Sequence, residues 1–195
     1  MLIGGLFVAL GLSPLTTLAL SLIEVVPLYY GALFGVLPLL LLAGGVGVRI
    51  PFIGKYAVQG GLIGLLAVFL YDCTRIPFLL LGGWPDFIPT IATHLWPGAE
   101  PNWIVGYAWR YLGNGGGMGL AFTVAYRMTA PRVSVWPLAV GYGVAIWLCL
   151  IATLFLMPEG KVLFELTPLT VSISLLGHVV YGAGLALGLR SASAP

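Results

Sequence analysis

Long apolar stretches alternate with short polar or proline-containing breaks along the whole chain. A helix needs about 20 apolar residues to cross the hydrocarbon core of a bilayer, and six stretches have about this length. Charges and helix breakers separate them, for example at Glu24 and Pro27 and at residues 49–51. The pattern predicts six transmembrane helices, at residues 2–22, 28–47, 56–72, 103–126, 134–157 and 168–189.

The amino-acid composition supports a membrane environment. Hydrophobic residues make up 60% of the 195 residues, charged residues make up 7%, and the mean hydropathy is +1.08. Soluble domains have roughly a quarter of their residues charged, so this chain is far too apolar to be one. We therefore predict an all-α integral membrane protein in which residues 1–195 form a single transmembrane bundle of about six helices.

The charged residues segregate to the two sides of this six-helix arrangement. One side receives five bases and no acid, namely Arg49, Lys55, Arg127, Arg132 and Arg190. The other side receives six acids and two bases, namely Glu24, Asp72, Asp86, Glu100, Glu159, Glu165, Arg75 and Lys161. Basic loops remain on the cytoplasmic side of a membrane. The asymmetry therefore predicts that the N-terminus and the C-terminus are both cytoplasmic.

The longest connection, residues 73–102, lies on the outer side in this topology. Its sequence contains apolar runs at 76–81 and 87–91, together with tryptophans that prefer the headgroup region. A connection of this length in a compact protein is usually functional or disordered, and its apolar content argues against disorder. We expect one or two short interfacial helices that cap the bundle, punctuated by Pro77, Pro85, Pro89, Pro97 and Pro101.

The fourth predicted helix carries a polar face at the spacings i, i+3, i+4 and i+7, formed by Tyr107, Arg110, Tyr111 and Asn114. Arg110 follows Trp103 by seven residues, or about 10 Å of helix, which places it inside the membrane if Trp103 marks the interface. An arginine at that depth costs at least about 2.5 kcal/mol unless a partner or a hydrated cavity receives it. Asp72 and Arg75 can provide the partner. Two interpretations are open, a ligand-binding site around Arg110 or a structural Asp72–Arg110 pair.

A second polar face lies on the sixth predicted helix, where Ser174, His178 and Tyr181 follow each other at spacings of four and three. These residues are the remaining candidates for ligand binding. His178 lies near the middle of its helix, where a histidine usually donates a hydrogen bond to a neighbour. Haem ligation by His178 is the alternative. Because His94 is in the cap, the two histidines do not form a pair, and the sequence predicts no metal site.

The sequence gives little support for an enzymatic function. Trp109–Arg110, the glycine-rich turn that follows, and Gly177–His178 resemble features of rhomboid proteases. A rhomboid needs a serine nucleophile in that turn, whereas residues 115–119 read Gly-Gly-Gly-Met-Gly. We therefore predict no catalytic residues, and we favour a protein that is not an enzyme.

The last 90 residues or so resemble the YagU-like group of small inner-membrane proteins. The resemblance rests on the basic turn Arg127 to Arg132, a helix that begins near Trp136, the Met157–Pro158 break and Gly177–His178 in the final helix. That group has no established biochemistry. The resemblance implies a bacterial-type protein of the plasma (inner) membrane.

Two classes of function follow from these residues. The favoured one is a non-enzymatic binding module or accessory subunit, with a polar pocket open to the outer side and lipid as its surroundings. Glycines at G-x-x-x-G spacing let helices approach closely and offer faces for partner subunits, and nothing indicates a nucleic-acid partner. The alternative is a solute-uptake component similar to the substrate-binding subunits of energy-coupling transporters. An outer-leaflet enzyme comes third.

Overall fold

The computed structural model describes residues 2–129, 132–157 and 163–191, and every regular element within these ranges is helical. Glu159 and Lys161, which contribute to the predicted charge asymmetry, lie outside the described residues. The long helices are α1 (Leu2–Leu22), α2 (Leu28–Arg49), α3 (Pro51–Leu80), α5 (103–129), α6 (Val135–Leu156) and α7 (Pro168–Ser191), with the short α4 (Ile91–Leu95) between α3 and α5.

Within the described ranges, five helices are long and apolar enough to cross a membrane, namely α1, α2, α3, α6 and α7. The sequence predicted a sixth span at residues 103–126. The structure does form a continuous helix there, made of Trp103–Ala108, a π-helical segment Trp109–Gly116 and Gly117–Thr129. Arg110 and Asn114 make the middle of α5 polar. The described part of the chain is thus all-helical and has five candidate membrane spans.

The ends of the helices follow local chemistry. Glu24 adopts a positive φ of 60° and turns the chain after α1. Pro51 occupies the start of α3, where its missing N–H has no helical partner to lose. The side chain of Asn102 accepts a hydrogen bond from the backbone N–H of Val105 at 3.1 Å and caps the start of α5. The end of α1 at Leu22 and the start of α5 at Trp103 match the predicted boundaries, whereas α3 begins at Pro51 and not at the predicted residue 56.

The end of α3 differs from the prediction. The helix continues to Leu80, eight residues past the predicted end at residue 72, and includes Pro77. The segment following Asp72 stays helical because Arg75 is buried against the bundle, being only 2% exposed, so the chain cannot leave the helix before it. The connection between α3 and α5 therefore begins at Leu81. It contains a 3₁₀ turn (Ile88–Thr90) and α4, in agreement with the expected short helices.

Helix α3 is central and packs against both α5 and α7. Glycines permit the contact with α5, because a Cβ atom added to Gly64 would meet the carbonyl oxygen of Gly115, and one added to Gly119 would lie 2.5 Å from the carbonyl oxygen of Gly60. These G-x-x-x-G pairs therefore join helices of the same chain. Helix α1 packs against α5, and α6 packs against α7.

Residues 81–102, which we call the cap, close one end of the bundle. Ile88 and Ile91 pack with Leu18, Leu22 and Leu28 in one apolar cluster. A second cluster joins the cap to the start of α7 through Trp84, Phe164 and Ile173. The cap is thus fastened at two places, and the interior between these places is where the candidate site lies.

Candidate functional site

The shortest ion pair among the described residues joins α3 and α5 in the interior. The guanidinium of Arg110 donates from Nε to both carboxylate oxygens of Asp72 at 3.1 Å and from Nη2 to Oδ1 at 2.6 Å. Asp72 is 3% exposed. The guanidinium also lies over the ring of Tyr71, with 4.7 Å from its central carbon to the ring centroid. The pair thus joins two helices inside the bundle, as one of the two interpretations of the sequence predicted.

Arg75 connects this pair to the cap. Its Nη1 donates to Asp86 at 3.3 Å, and its Nη2 donates to the hydroxyl of Tyr107 at 3.0 Å. That hydroxyl donates in turn to the other oxygen of Asp86 at 3.1 Å. The Nε of Arg75 has no hydrogen bond but lies 3.4 Å from Asp72, close enough for an ion pair. The result is one network of two bases and two acids across α3, α5 and the cap.

The π-helical segment of α5 places a backbone carbonyl beside α7. A π-helix shifts its hydrogen bonds to i→i+5, which changes where carbonyl groups point. The hydroxyl of Tyr181 donates to the carbonyl oxygen of Gly115 at 2.8 Å. A side chain at residue 115 would collide with Val68, so the contact requires a glycine there. This bond fixes Tyr181 next to Asn114.

His178 is held in one orientation by its own helix. Its Nδ1 lies 2.7 Å from the carbonyl oxygen of Ser174, so Nδ1 carries the proton and donates. In a neutral imidazole this leaves Nε2 as a hydrogen-bond acceptor. The ring meets the edge of Tyr71 with 5.1 Å between centroids. Ser174 itself accepts a hydrogen bond from Trp147 at 3.0 Å, which ties α7 to α6.

A cavity of about 120 Å³ lies between α1, α3, α5, α6 and α7, beneath the cap. Most of its wall is apolar, and its polar lining residues are Tyr71, Arg75, Trp84, Arg110, Asn114, Cys149, Thr153, His178 and Tyr181. An engineered apolar cavity of about 150 Å³ admits benzene, so this cavity can hold a single ring or the end of a chain. A porphyrin is much larger. The space beside His178 therefore does not fit a haem.

Two residues of the cavity wall each carry a buried polar atom that lacks a partner. The Oδ1 of Asn114 and the Nε1 of Trp84 are both buried and make no hydrogen bond. Trp84 is 3% exposed, so water outside the protein does not reach it. Most buried polar groups in proteins are hydrogen-bonded, and each exception asks for an explanation such as an unseen ligand or water. These two atoms mark the cavity as a place where something polar can bind.

A larger outer recess of about 820 Å³ lies on the far side of the cap. Its polar lining includes Glu24, Asp86 and His94, and His94 lies 3.4 Å from the hydroxyl of Ser21. Leu22 and Phe87, together with Leu163, line both this recess and the interior cavity. Three apolar side chains therefore separate the two spaces.

The structure divides the predicted site residues into two groups. Arg75, Arg110, Asn114, His178 and Tyr181 line the cavity. The remaining predicted residues lie behind it or beside it, namely Asp72, Tyr107, Tyr111 and Ser174. Within the described residues, no group of three or more His, Cys, Asp or Glu side chains could hold a metal ion.

Sequence reasoning assigned Asp86 and Trp84 to the cap and left them out of the site. For Asp86 a signal existed, because it is the first acid after Arg75 in the chain and a buried arginine needs a counter-ion. For Trp84 no signal existed, since an interfacial tryptophan and a cavity tryptophan have the same sequence context.

Comparison with known proteins finds no matching family, no similar curated protein and no similar solved structure. The resemblance of the last 90 residues to YagU-like proteins therefore stays a prediction.

Proposed function

We propose that this protein is a non-enzymatic membrane binding module that holds a small, uncharged amphipathic molecule in the interior cavity. One observation carries the proposal. A mostly apolar cavity is lined by two residues that carry buried polar atoms without partners, the Oδ1 of Asn114 and the Nε1 of Trp84. Leaving a buried donor or acceptor unsatisfied costs about 1–3 kcal/mol each, and a bound polar group would recover that free energy.

The charges around the cavity favour an uncharged ligand. Arg110 is paired with Asp72, and Arg75 with Asp86, so the network of two bases and two acids is neutral. An anionic ligand would have to displace a carboxylate from a bidentate contact. Separating a buried pair costs about 3–5 kcal/mol, more than a single new contact regains. A ligand bearing a hydroxyl or carbonyl group avoids this cost.

The chemistry of the cavity wall favours binding over catalysis. A nucleophile needs an adjacent base, and in the described residues no hydrogen bond joins the basic nitrogen of His178, Nε2, to a hydroxyl or thiol. The hydroxyl of Thr153, another lining group, donates to the carbonyl oxygen of Cys149. Within the described residues, these contacts leave no nucleophile paired with a base in the cavity.

Six membrane spans with both termini in the cytoplasm form part of the proposal. Helix α5 has 27 residues, or about 40 Å of helix, which exceeds the roughly 30 Å of a hydrocarbon core. Its polar middle is compensated inside the bundle, since Arg110 is paired with Asp72. A crossing by α5 keeps Arg127 and Arg132 on the same side as Arg49 and puts the cap outside.

The test is the composition of the purified protein. We expect wild-type protein extracted in mild detergent to carry a near-stoichiometric amphiphile, detected by solvent extraction and mass spectrometry. Asn114→Leu keeps the volume and removes the polar group, and should lower occupancy at least about fivefold because a hydrogen bond is lost. The matched control is Gln59→Leu, which removes an amide outside the cavity and should change nothing. Wild-type protein that contains water alone would overturn the proposal.

A solute-uptake component is the second candidate, and the outer recess of about 820 Å³ favours it. A water-soluble substrate would collect in that recess and pass Phe87 to reach the cavity. In that case a truncation at Phe87 should speed exchange of a water-soluble ligand, and coupling subunits should co-purify with the protein.

A further inference from the structure

Helices α1 and α6 each turn one face towards the cavity. The lining positions on α1 are 15, 18, 19 and 22, and those on α6 are 146, 149, 150 and 153. Both sets follow the spacing i, i+3, i+4 and i+7, which describes a single face of an α-helix. The two helices therefore form opposite walls of the same space along about two turns.

These two walls hardly touch each other. Helix α1 packs mainly against α5, and α6 packs mainly against α7, whereas direct contacts between α1 and α6 are few. Cys149 is exposed on the outside of the bundle and also lines the cavity. A residue that meets both spaces lies at an opening. The gap between α1 and α6 therefore connects the cavity sideways with the surroundings of the bundle.

The opening lies at a depth that hydrocarbon occupies. Cys149 is seven residues from the end of α6, about 10 Å along its axis, and Ala19 is three residues from the end of α1. Both helices are among the five candidate spans. A gap at this height faces acyl chains and not water, so molecules dissolved in the bilayer have the shortest path to the cavity.

The path from water is obstructed. Leu22, Phe87 and Leu163 lie between the outer recess and the cavity, and Leu22 is buried in the same cluster as Ile88 and Ile91 of the cap. Opening this path would require cap residues to leave an apolar cluster. The lateral gap needs no such displacement, because small side chains, Ala19 and Cys149, stand on its two sides.

We infer that the ligand is a membrane-dissolved lipid with one small uncharged oxygen group, and that it enters sideways between α1 and α6. The inference rests on the proposed function and adds the ligand class and its route. The apolar ring or chain end passes Ala19 and Cys149. The hydroxyl then donates to the Oδ1 of Asn114 and accepts from the Nε1 of Trp84, the two buried atoms that lack partners.

The experiment uses the full chain in phospholipid vesicles with a long-chain fatty alcohol that carries a diazirine in its chain. After illumination, mass spectrometry locates the cross-links. We expect them on the facing walls of α1 and α6, with Cys149 or its neighbours modified. A quaternary ammonium analogue of the same chain should give at least about tenfold fewer cavity cross-links, because desolvating its charge in the neutral site is costly. Equal labelling by both probes would overturn the assigned ligand class.

Ala19→Trp fills the gap from α1 and should lower cavity cross-linking at least about tenfold. Thr16→Trp places the same bulk on an exposed position of the same helix and is the matched control. Cys149→Trp fills the gap from α6 and serves if the first variant does not fold, as judged by gel filtration and thermal unfolding. Equal losses in Ala19→Trp and Thr16→Trp would count against the gap.

The outcomes separate the route from the proposed function. If cavity cross-links persist in folded Ala19→Trp and Cys149→Trp proteins, the lateral route is wrong while binding in the cavity stands. If Phe87→Ala, and not a gap variant, changes the labelling rate, entry is from the outer recess. If the probe never reaches the cavity and Asn114→Leu has no effect on co-purified material, the proposed function fails as well.

Discussion

The contact between α3 and α5 and the neighbouring cavity differ in how their buried polar groups are paired. At the contact with α5, Asp72 and Arg110 bury charges that are compensated by each other. At the cavity a short distance away, Asn114 and Trp84 bury polar atoms that are compensated by nothing in the described chain. The first arrangement holds helices together, whereas the second is where we propose that a ligand binds.

The pairing of buried polar groups distinguishes a structural contact from a candidate binding site, whereas residue type does not. Both regions combine charged and aromatic side chains from the same stretch of sequence. A charged residue inside a membrane protein is a functional candidate by default, yet here the guanidinium of Arg110 is engaged by a carboxylate. The side-chain Oδ1 of the less conspicuous Asn114, in contrast, has no hydrogen-bond partner. Hydrogen-bond completeness, and not charge, distinguishes the two regions.

The largest expected effect is on the charged side. Arg110→Ala or Asp72→Ala alone should lower the free energy of unfolding by about 3–5 kcal/mol, because each strands a buried charge, and the double variant should recover much of the loss. Unfolding in mixed detergent measures this. Arg190→Ala, at an exposed position, is the control and should stay within about 0.5 kcal/mol. Without recovery in the double variant, the pair would not be a self-contained structural unit.

A smaller effect is expected where the network meets the cap. Asp86→Ala removes the carboxylate that receives Arg75 and Tyr107 and should cost about 2–3 kcal/mol. Hydrogen exchange of residues 84–95 should accelerate more than exchange elsewhere, since this contact fastens the cap. Thr93→Ala removes a cap hydroxyl that bonds within the cap and is the control. Uniform acceleration across the protein would show that the cap is held by its apolar clusters.

On the cavity side, binding and stability should separate. Trp84→Phe retains an aromatic ring and loses the indole N–H, so ligand content should fall at least about fivefold. Ser174→Ala removes the bond from Trp147 and should lower stability by about 1 kcal/mol. It should leave ligand content unaltered. Equal ligand loss in both variants would mean that helix packing, and not the N–H of Trp84, governs retention.

The last prediction should leave stability unchanged. In a chain with Cys73→Ser and Cys149→Ser, single cysteines at Arg132 and Glu100 should react with an impermeant reagent from opposite sides, the first from the cytoplasm. Both positions are in connections between helices. Reaction of both from one side would mean that α5 does not cross the membrane.

Sequence reasoning reached the helical class and the Asp72–Arg110 contact because these depend on local signals. Apolar runs set α1 at Leu2–Leu22, the range predicted, and a polar stripe on an apolar helix pointed to Arg110. The end of α3 was misplaced because an acid and a base near the end of an apolar run resemble a loop. The same pattern, an acid and a base near the end of an apolar run, is also typical of a buried ion pair within a helix.

The cavity wall could not be predicted from the sequence. Leu150 and Ile146 face the cavity, whereas Leu148 of the same helix is exposed on the outside. Hydropathy is the same for a side chain facing lipid and for one facing an internal space. Only the arrangement of several helices determines whether a side chain faces lipid or the cavity. The distance between α1 and α6 cannot be inferred from the sequence of either helix.

The π-helical segment Trp109–Gly116 sets the phase between the two halves of α5. A residue added to or removed from an α-helix rotates everything beyond it by roughly 100°. The N-terminal half directs Arg110 at Asp72, and the C-terminal half directs Gly119 at Gly60. Shortening the glycine run by one residue would keep one of these alignments only by losing the other. The length of this run is therefore as constrained as any side chain in the bundle.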